Sequence, residues 1–317
     1  MDTAVNPAAV YNRIAANVQR VIQGKPEVVR LVLVALLAEG HVLVEDKPGL
    51  GKTTLARCIA ASVNGAWSRI QFTPDLLPSD ITGTSMYRQA DESFHFHPGG
   101  VFANVVLADE INRATPKTQS ALLEVMAERQ VTADSKTYLV PRPFMVIGTQ
   151  NPIELQGTYR LPEAQLDRFL MRVAMGYPDH GAEVQVLLAD SEGATPDRLP
   201  AVVELHEVER AIAAVRAIHA TPEICSYIVG LAARTRLHPE ILHGVSPRGS
   251  VALLRAARAW AATENRGFVT QDDVKQVVPA VFEHRIVLTP EAELARRRPA
   301  DVLRALLAEH EVTGSSR

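Results

Sequence analysis

Residues 46–54 read DKPGLGKTT. This run is suited to a polyphosphate. Glycines at 49 and 51, between Pro48, Leu50 and the following lysine, let successive backbone N–H groups approach phosphate oxygens closely. Lys52 brings a charge to the β- and γ-phosphates, Thr53 offers a hydroxyl to a phosphate-bound Mg²⁺, and Lys47 and Thr54 flank the set. The general pattern G-x-x-x-x-G-K-[ST] carries Asp46 where its first glycine would stand. A second set closes the run VVLADE at 105–110. There Asp109 can hold the metal, and Glu110 can polarise an attacking water. A third run, FMVIGTQN at 144–151, ends in Asn151, an amide able to orient water or contact a terminal phosphate. Together these groups would cleave a nucleoside triphosphate.

Such chemistry needs the three runs side by side, so their elements must deliver them to one edge. HVLVE at 41–45 is a short β-rich run, followed by the glycine loop and a helical stretch to about Val63. RIQF at 69–72, VVLAD at 105–109, FMVIGTQ at 144–150 and FLMRVAM at 169–175 are further apolar strand candidates. TPKTQSALLEVMAE, beginning at Thr115, is a helix, and QVTADSKTYLVP at 130–141 alternates like a β-hairpin. Strands alternating with helices predict an α/β class. The expected form is a three-layer αβα core with a mostly parallel sheet, which binds ligands at the carboxyl ends of its strands. Helical spacing also marks 7–23 and 26–39, where Leu31–Ala38 reads as core packing. The Pro- and Gly-broken segment 73–100 reads as an insertion. After Tyr177-Pro178-Asp179 the chain turns alanine- and leucine-rich, with helical patterns near 180–189, 204–218, 222–236, 247–264 and 270–282. The sequence therefore predicts a core over 1–177, a helical domain over 178–317, and a frayed tail from 311.

Composition sets the outer limits. The 317 residues are 47% hydrophobic and 22% charged, enough apolar material for a packed core and far from disordered composition. A net charge of −3 and 5% aromatics argue against a nucleic-acid substrate. No apolar run is long enough to span a bilayer, and the first twenty residues lack a secretory signature. Cys58 and Cys225 stand far apart without CxxC spacing and read as small buried apolar residues in a reducing compartment, which predicts a cytoplasmic protein. His95 and His97 form an H-x-H with no third ligand in view. GVSPRG at 244–249 lacks the second glycine of a serine-hydrolase elbow. Arg296-Arg297-Arg298 with Arg304, interleaved with Glu291, Glu293 and Asp301, reads as a solvated helix face.

The series DKPGLGKTT, ADEINRATPKTQSALLEVMAE (108–128), IGTQNP (147–152), LPEAQLDRF (161–169) and VSPRG (245–249) resembles the MoxR family of AAA+ ATPases in order, across about residues 10–285. The family tends to carry an acidic residue at the place of Asp46. The resemblance implies a Rossmann-like ATPase core followed by a small helical lid, with ATP and Mg²⁺ between them and at a subunit interface. It implies a homo-oligomeric ring, usually a hexamer, that remodels a client protein in a chaperone-like or metal- or cofactor-inserting role. A von Willebrand factor A-domain protein is the implied partner. By motif, Lys52 and Thr53 bind phosphate and Mg²⁺, Asp109 the metal, Glu110 orients water, and Asn151 is the first sensor. Arg168 matches the finger that reaches a neighbour's γ-phosphate, with Arg113 and Arg129 as rivals, and Arg248 matches the lid's second sensor. Val21, Ile22 and Gly24 fall in the stretch that packs on adenine. The insertion matches the family's helix-2 insert, and 130–141 its hairpin before the first sensor. A DNA-remodelling motor and a nucleotide-switched scaffold with little turnover remain the alternatives.

Overall fold

In a computed structural model of the chain, residues 5–151, 158–159, 161–191 and 195–314 are described. Two helices lead: α1 (Pro7–Gln19), capped by the Asn6 side chain accepting from Ala8 and Ala9, and α2 (Pro26–Leu37). Both begin on a proline, the residue whose missing N–H costs nothing at that position. There follow β1 (Val42–Glu45), α3 (Lys52–Ser62), β2 (Trp67–Gln71), α4 (Pro78–Thr82), β3 (Gly83–Arg88), β4 (Ser93–Pro98), β5 (Val105–Asp109), α5 (Pro116–Glu128), β6 (Gln130–Ala133), β7 (Lys136–Leu139), β8 (Met145–Gln150), α6 (Glu163–Leu166) and β9 (Met171–Val173).

Five of these strands form one sheet in the order β2-β5-β8-β1-β9, every neighbouring pair parallel. β1, β5 and β8 are buried along their length until the final residue, which is Glu45, Asp109 or Gln150, and apolar but for Thr149 of β8. That pattern belongs to a sheet covered on both faces. The two-residue strand period divides the sheet between two apolar layers. Val42, Val44, Val105, Leu107 and Ile147 pack with α1, α2 and α3. Leu43, Val106, Ala108 and Val146 pack instead with α4 and α5. The α/β expectation is met.

The helical part comprises α7 (His180–Ser191), α8 (Leu205–Arg216), α9 (Pro222–Leu237), β10 (Ile241–His243), α10 (Pro247–Thr263), α11 (Gln271–Phe282), β11 (Val287–Leu288), α12 (Pro290–Leu294) and α13 (Pro299–Gly314). Its caps are local: Thr221 accepts from Ile224, Ser246 from Gly249, and Thr270 and Asp273 cap reciprocally. α1 and α2 share one continuous apolar layer with α8 and α10, so the first two helices bind the sheet to the lid.

The 73–100 insertion carries regular structure: it holds α4, with Ile81 fully buried, and the β3–β4 hairpin. Three sequence expectations change. Cys225 is exposed on α9 instead of buried. The arginine run is solvated but not a helix face, because Arg296 takes a left-handed turn between α12 and α13. There Arg297 pairs with Glu240, and Arg298 and Arg304 with Asp301. The expected frayed tail is helical through Gly314, and 315–317 lie outside the described residues. No described helix is long and apolar enough to cross a membrane.

Candidate functional site

The sheet order places the carboxyl ends of β1, β5 and β8 next to one another, and a cleft of about 420 Å³ opens there. Its wall comprises Pro48, Gly49, Gly51, Lys52, Thr53 and Thr54 from the β1–α3 loop, Asp109 and Glu110 after β5, and Asn151 after β8, joined by Arg69 and Gln71 of β2. Gly49 and Gly51 have φ of +82° and +84°, and open space lies where a Cβ of Gly49 would stand. A side chain at either position would be strained, which is why the turn takes glycine. Lys52 opens α3, so the first free N–H groups of that helix face the cleft with the positive end of its dipole. Its ammonium donates to the Asp46 carbonyl at 2.8 Å.

The acidic pair is held by its neighbours. Asp109 Oδ1 accepts from Thr149 Oγ1 at 2.6 Å, and Oδ2 accepts from Arg69 at 2.6 Å. The Glu110 N–H donates to the same Thr149 Oγ1 at 2.8 Å. Glu110 sits in the left-handed region at φ +57°, and its Oε2 accepts from Gln71 at 2.9 Å and Arg113 at 3.0 Å. Asn151 is buried in the wall beside them. Hard oxygens from Thr53, Asp109 and Glu110 beside an ammonium and free N–H groups fit a phosphate-bound Mg²⁺, a cation that prefers a few carboxylates plus phosphate oxygens.

The rest of the loop faces away from the cleft. Leu50 packs on the core, and the Lys47 ammonium lies 5.2 Å from the Tyr177 ring. Asp46 accepts from the Lys47 N–H at 2.8 Å and, through Oδ2, from the Gly176 N–H at 2.5 Å. The carboxylate at the missing-glycine position thus ties the phosphate loop to the segment joining sheet and lid. Lys25 donates to the Tyr177 carbonyl of that segment at 2.7 Å. Ile22 is buried in the core, Val21 is partly buried against it, and Gly24 lies so close to α7 that a Cβ would strike the Ala182 methyl. None of these three lines the cleft itself.

Arg168 and Arg248 lie elsewhere. They line a second pocket, of about 490 Å³, with Glu39, His41, Arg129, Asp167, Arg255 and Arg285. Glu39–His41 precede β1, whereas the phosphate loop follows it, so the two pockets occupy opposite ends of that strand. Four residues at about 3.3 Å each separate them by about 13 Å. Arg248, the residue that matches the lid's second sensor, thus stands away from the phosphate loop of its own chain, held at the far end of the sheet by the packing of α10 on α2. Arg168 donates to the Leu123 carbonyl. Of its rivals, Arg113 pairs with Glu110 of the first cleft's wall, and Arg129 is engaged by Glu39. Glu39, almost fully buried, also meets Arg142 at 2.7 Å and Arg216 of α8, and its carbonyl accepts from Arg255 of α10 at 2.9 Å. Burial, with Arg216 nearby, draws the Arg255 pKa below its ordinary value.

Several of these residues escaped sequence reasoning. Thr149 lies inside a motif that was read for its terminal asparagine. Arg69 and Gln71 lie on a strand candidate with no recognised chemistry, and only the β2–β5 register, Gln71 opposite Asp109, brings them in. His95 Nε2 bonds Asp91 at 2.6 Å and Ser93 at 2.8 Å. No group of three metal-ligating side chains occurs among the described residues.

Comparison with known proteins agrees with this architecture. Residues 41–171 match the ATPase family associated with various cellular activities (AAA), and residues 233–306 match the AAA lid domain. The chain is 45% identical to the uncharacterized protein YeaC of Bacillus subtilis, over 94% of this chain and 93% of that one. It is 42% identical to the chaperone MoxR1 of Mycobacterium tuberculosis, over 93% and 80% of the two chains. Identity to the MoxR protein of Methylorubrum extorquens is 34%, over 93% and 92%. A crystal structure from Cytophaga hutchinsonii, assigned as an ATPase, superposes with a TM-score of 0.90 at 35% identity, covering 96% and 95%. With a parallel sheet ending in a glycine loop and an acidic pair, a helical lid behind it, and relatives aligned along nearly the whole length, the chain belongs to the MoxR family of AAA+ ATPases.

Proposed function

We propose that the protein hydrolyses ATP at the β1–α3 loop within a ring of its own copies, and uses the turnover to remodel a partner protein. One observation supports this reading above the rest: the phosphate cleft and the Arg168–Arg248 pocket lie at opposite ends of β1. A cleft in one subunit can meet those arginines only on a neighbour, and a head-to-tail contact of that kind closes into a ring when the rotation between subunits returns on itself.

In this reading the β- and γ-phosphates lie along the glycine loop and the first turn of α3, with Lys52 releasing the Asp46 carbonyl to meet them. Thr53 and Asp109 would hold Mg²⁺, which supplies charge neutralisation at the transferring phosphoryl group. Glu110, positioned by Gln71 and Arg113, orients the attacking water, and Asn151 closes the wall beside the terminal phosphate. Arg168 and Arg248 of a neighbour bring guanidinium forks, always charged, to the developing negative charge. Val21, Ile22 and Gly24 form the adenine side, with Gly24 against Ala182 of α7, and the sheet–lid division at 176–180 is the hinge. The client binds at the hairpins or lid, with a von Willebrand factor A-domain protein as adaptor and the cytoplasm as the place of work. One curated relative carries the name chaperone, which favours a protein client.

The test is direct. Lys52→Ala loses nucleotide binding, whereas Glu110→Gln keeps binding and loses turnover by at least about 10²-fold. Wild-type turnover in Glu110→Gln would overturn the assignment of the cleft. Affinity capture with Glu110→Gln held in ATP then identifies the client.

A further inference from the structure

Arg285, in the 3₁₀ turn after α11, has a side chain only 3% exposed. It does not line the phosphate cleft of its own chain, and most of its donor contacts go to one short segment. Nε donates to Asp167 Oδ1 at 2.7 Å, Nη2 to the Phe169 carbonyl at 2.7 Å and the Asp167 carbonyl at 3.1 Å, and Nη1 to the Leu170 carbonyl at 3.1 Å. Nη1 also donates to the Val281 carbonyl of α11 and meets His284 Nε2 at 2.7 Å. Arg168 stands in the middle of the segment so held. On its other side, the Arg285 stem lies against the first turn of α10, where a Cβ on Gly249 would come within 3.0 Å of its Cδ. Ser246, which caps that turn, reaches Asp167 Oδ2 at 3.4 Å. Arg248 lies between Ser246 and Gly249.

We infer that Arg285 is a positioning residue that fixes Arg168 of the sheet domain and Arg248 of the lid as one rigid pair for a neighbouring subunit's phosphate. The inference rests on the ring reading proposed above. The physical reason is the guanidinium fork. Its donors lie in one plane, so satisfying three backbone carbonyls and a carboxylate determines where the 167–170 backbone runs relative to the start of α10. A lysine keeps the charge but cannot reach all four acceptors. A misplacement of about 1 Å at a reacting group costs on the order of 10²-fold in rate.

The experiment uses purified full-length subunits, alone and mixed. Arg285→Lys and Arg285→Gln are each expected to bind a fluorescent ATP analogue like the wild type while turnover falls on the order of 10²-fold. Because the lost function lies on the donor face, mixing either variant with Lys52→Ala, which keeps that face intact, is expected to restore turnover. In random one-to-one rings, about a quarter of head-to-tail interfaces join two intact halves. Mixing either variant with Arg168→Ala is expected to restore nothing, since both lack the donor face. Arg168→Ala mixed with Lys52→Ala serves as reference. If the reference recovers and the Arg285 mixtures do not, the ring reading stands and Arg285 is not a donor-face residue. If the reference also fails to recover, the ring reading falls and the inference with it. Loss of analogue binding in both Arg285 variants makes Arg285 a general anchor of the fold and overturns the inference, as does wild-type turnover in both.

Discussion

Thr149 has one hydroxyl and two partners, donating to Asp109 and accepting from the Glu110 N–H, and it is fully buried. It therefore sets the carboxylate that would face Mg²⁺ relative to the backbone of the residue that would face the water. Thr149→Val keeps the shape and removes both bonds. Leaving that N–H unsatisfied costs about 1–3 kcal/mol in stability. Turnover should fall about tenfold or more while nucleotide affinity holds, because the loop and Lys52 are untouched. Urea unfolding and steady-state kinetics check the two halves, and unchanged turnover with the expected stability loss would confine Thr149 to the fold. Asp109, Glu110 and Asn151 were legible in the sequence because they stand at the ends of apolar runs, and Lys52 and Thr53 because they close a glycine-rich loop, both local properties. Thr149, Arg69 and Gln71 were not. Their relevance depends on which strands lie side by side and in which register, and that is decided by packing across residues far apart in the chain.

At the scale of elements, His41 joins three of them. It immediately precedes β1, its Nδ1 accepts from the Val146 N–H of β8 at 2.9 Å, and its Nε2–H donates to the Met126 carbonyl of α5 at 3.1 Å. Burial, with the charge of Arg255 adding to it, holds its pKa at about 4 against the ordinary 6.5, while the bond to Met126 opposes the shift. The folded state thus stays unprotonated where the unfolded chain takes up a proton. The stability linked to His41 is whole above pH 6.5, declines as pH falls towards 4, and is then constant, a loss of about 3 kcal/mol in all. His41→Leu should be less stable than the wild type at pH 7.5, because Val146 and Met126 lose a partner, yet should lose less between pH 7.5 and 4.5. The residual slope includes His284, also buried and held far below its ordinary pKa by burial and Arg285. Urea titrations at the two pH values measure this, and equal losses in both proteins would refute it. Alternation made the 130–141 hairpin legible, whereas 73–100 read only as an insertion because its prolines and glycines hid the β3–β4 pairing. That hairpin packs against its neighbour through Phe96, stacked on Tyr138 of β7 at 3.9 Å. Such a contact leaves no trace in either segment's own periodicity.

Across the whole molecule, the motifs around Arg168 and Arg248 were readable but their destination was not. Which end of the sheet they occupy is set by how α1 and α2 pack against α8 and α10, and by the arginines that gather on Glu39 from the sheet side and the lid. In the ring proposed above, that arrangement would make hydrolysis a property of assemblies. Specific activity should rise with protein concentration as rings form, following the mass fraction of assembled protein measured by sedimentation. Arg168→Ala should abolish the rise, with a loss on the order of 10³–10⁵-fold at saturation, since an arginine supplied from a neighbour contributes about that much. Arg248→Ala should flatten the rise in the same way while leaving nucleotide binding by the dilute subunit unchanged. Arg113→Ala acts differently. Arg113 pairs with Glu110 in the cleft of its own chain, so its loss should lower activity by the same factor at every concentration and leave the shape of the curve intact. Hydrolysis independent of concentration in the wild type, with subunits sedimenting as monomers, would show that the two ends of β1 never need to meet.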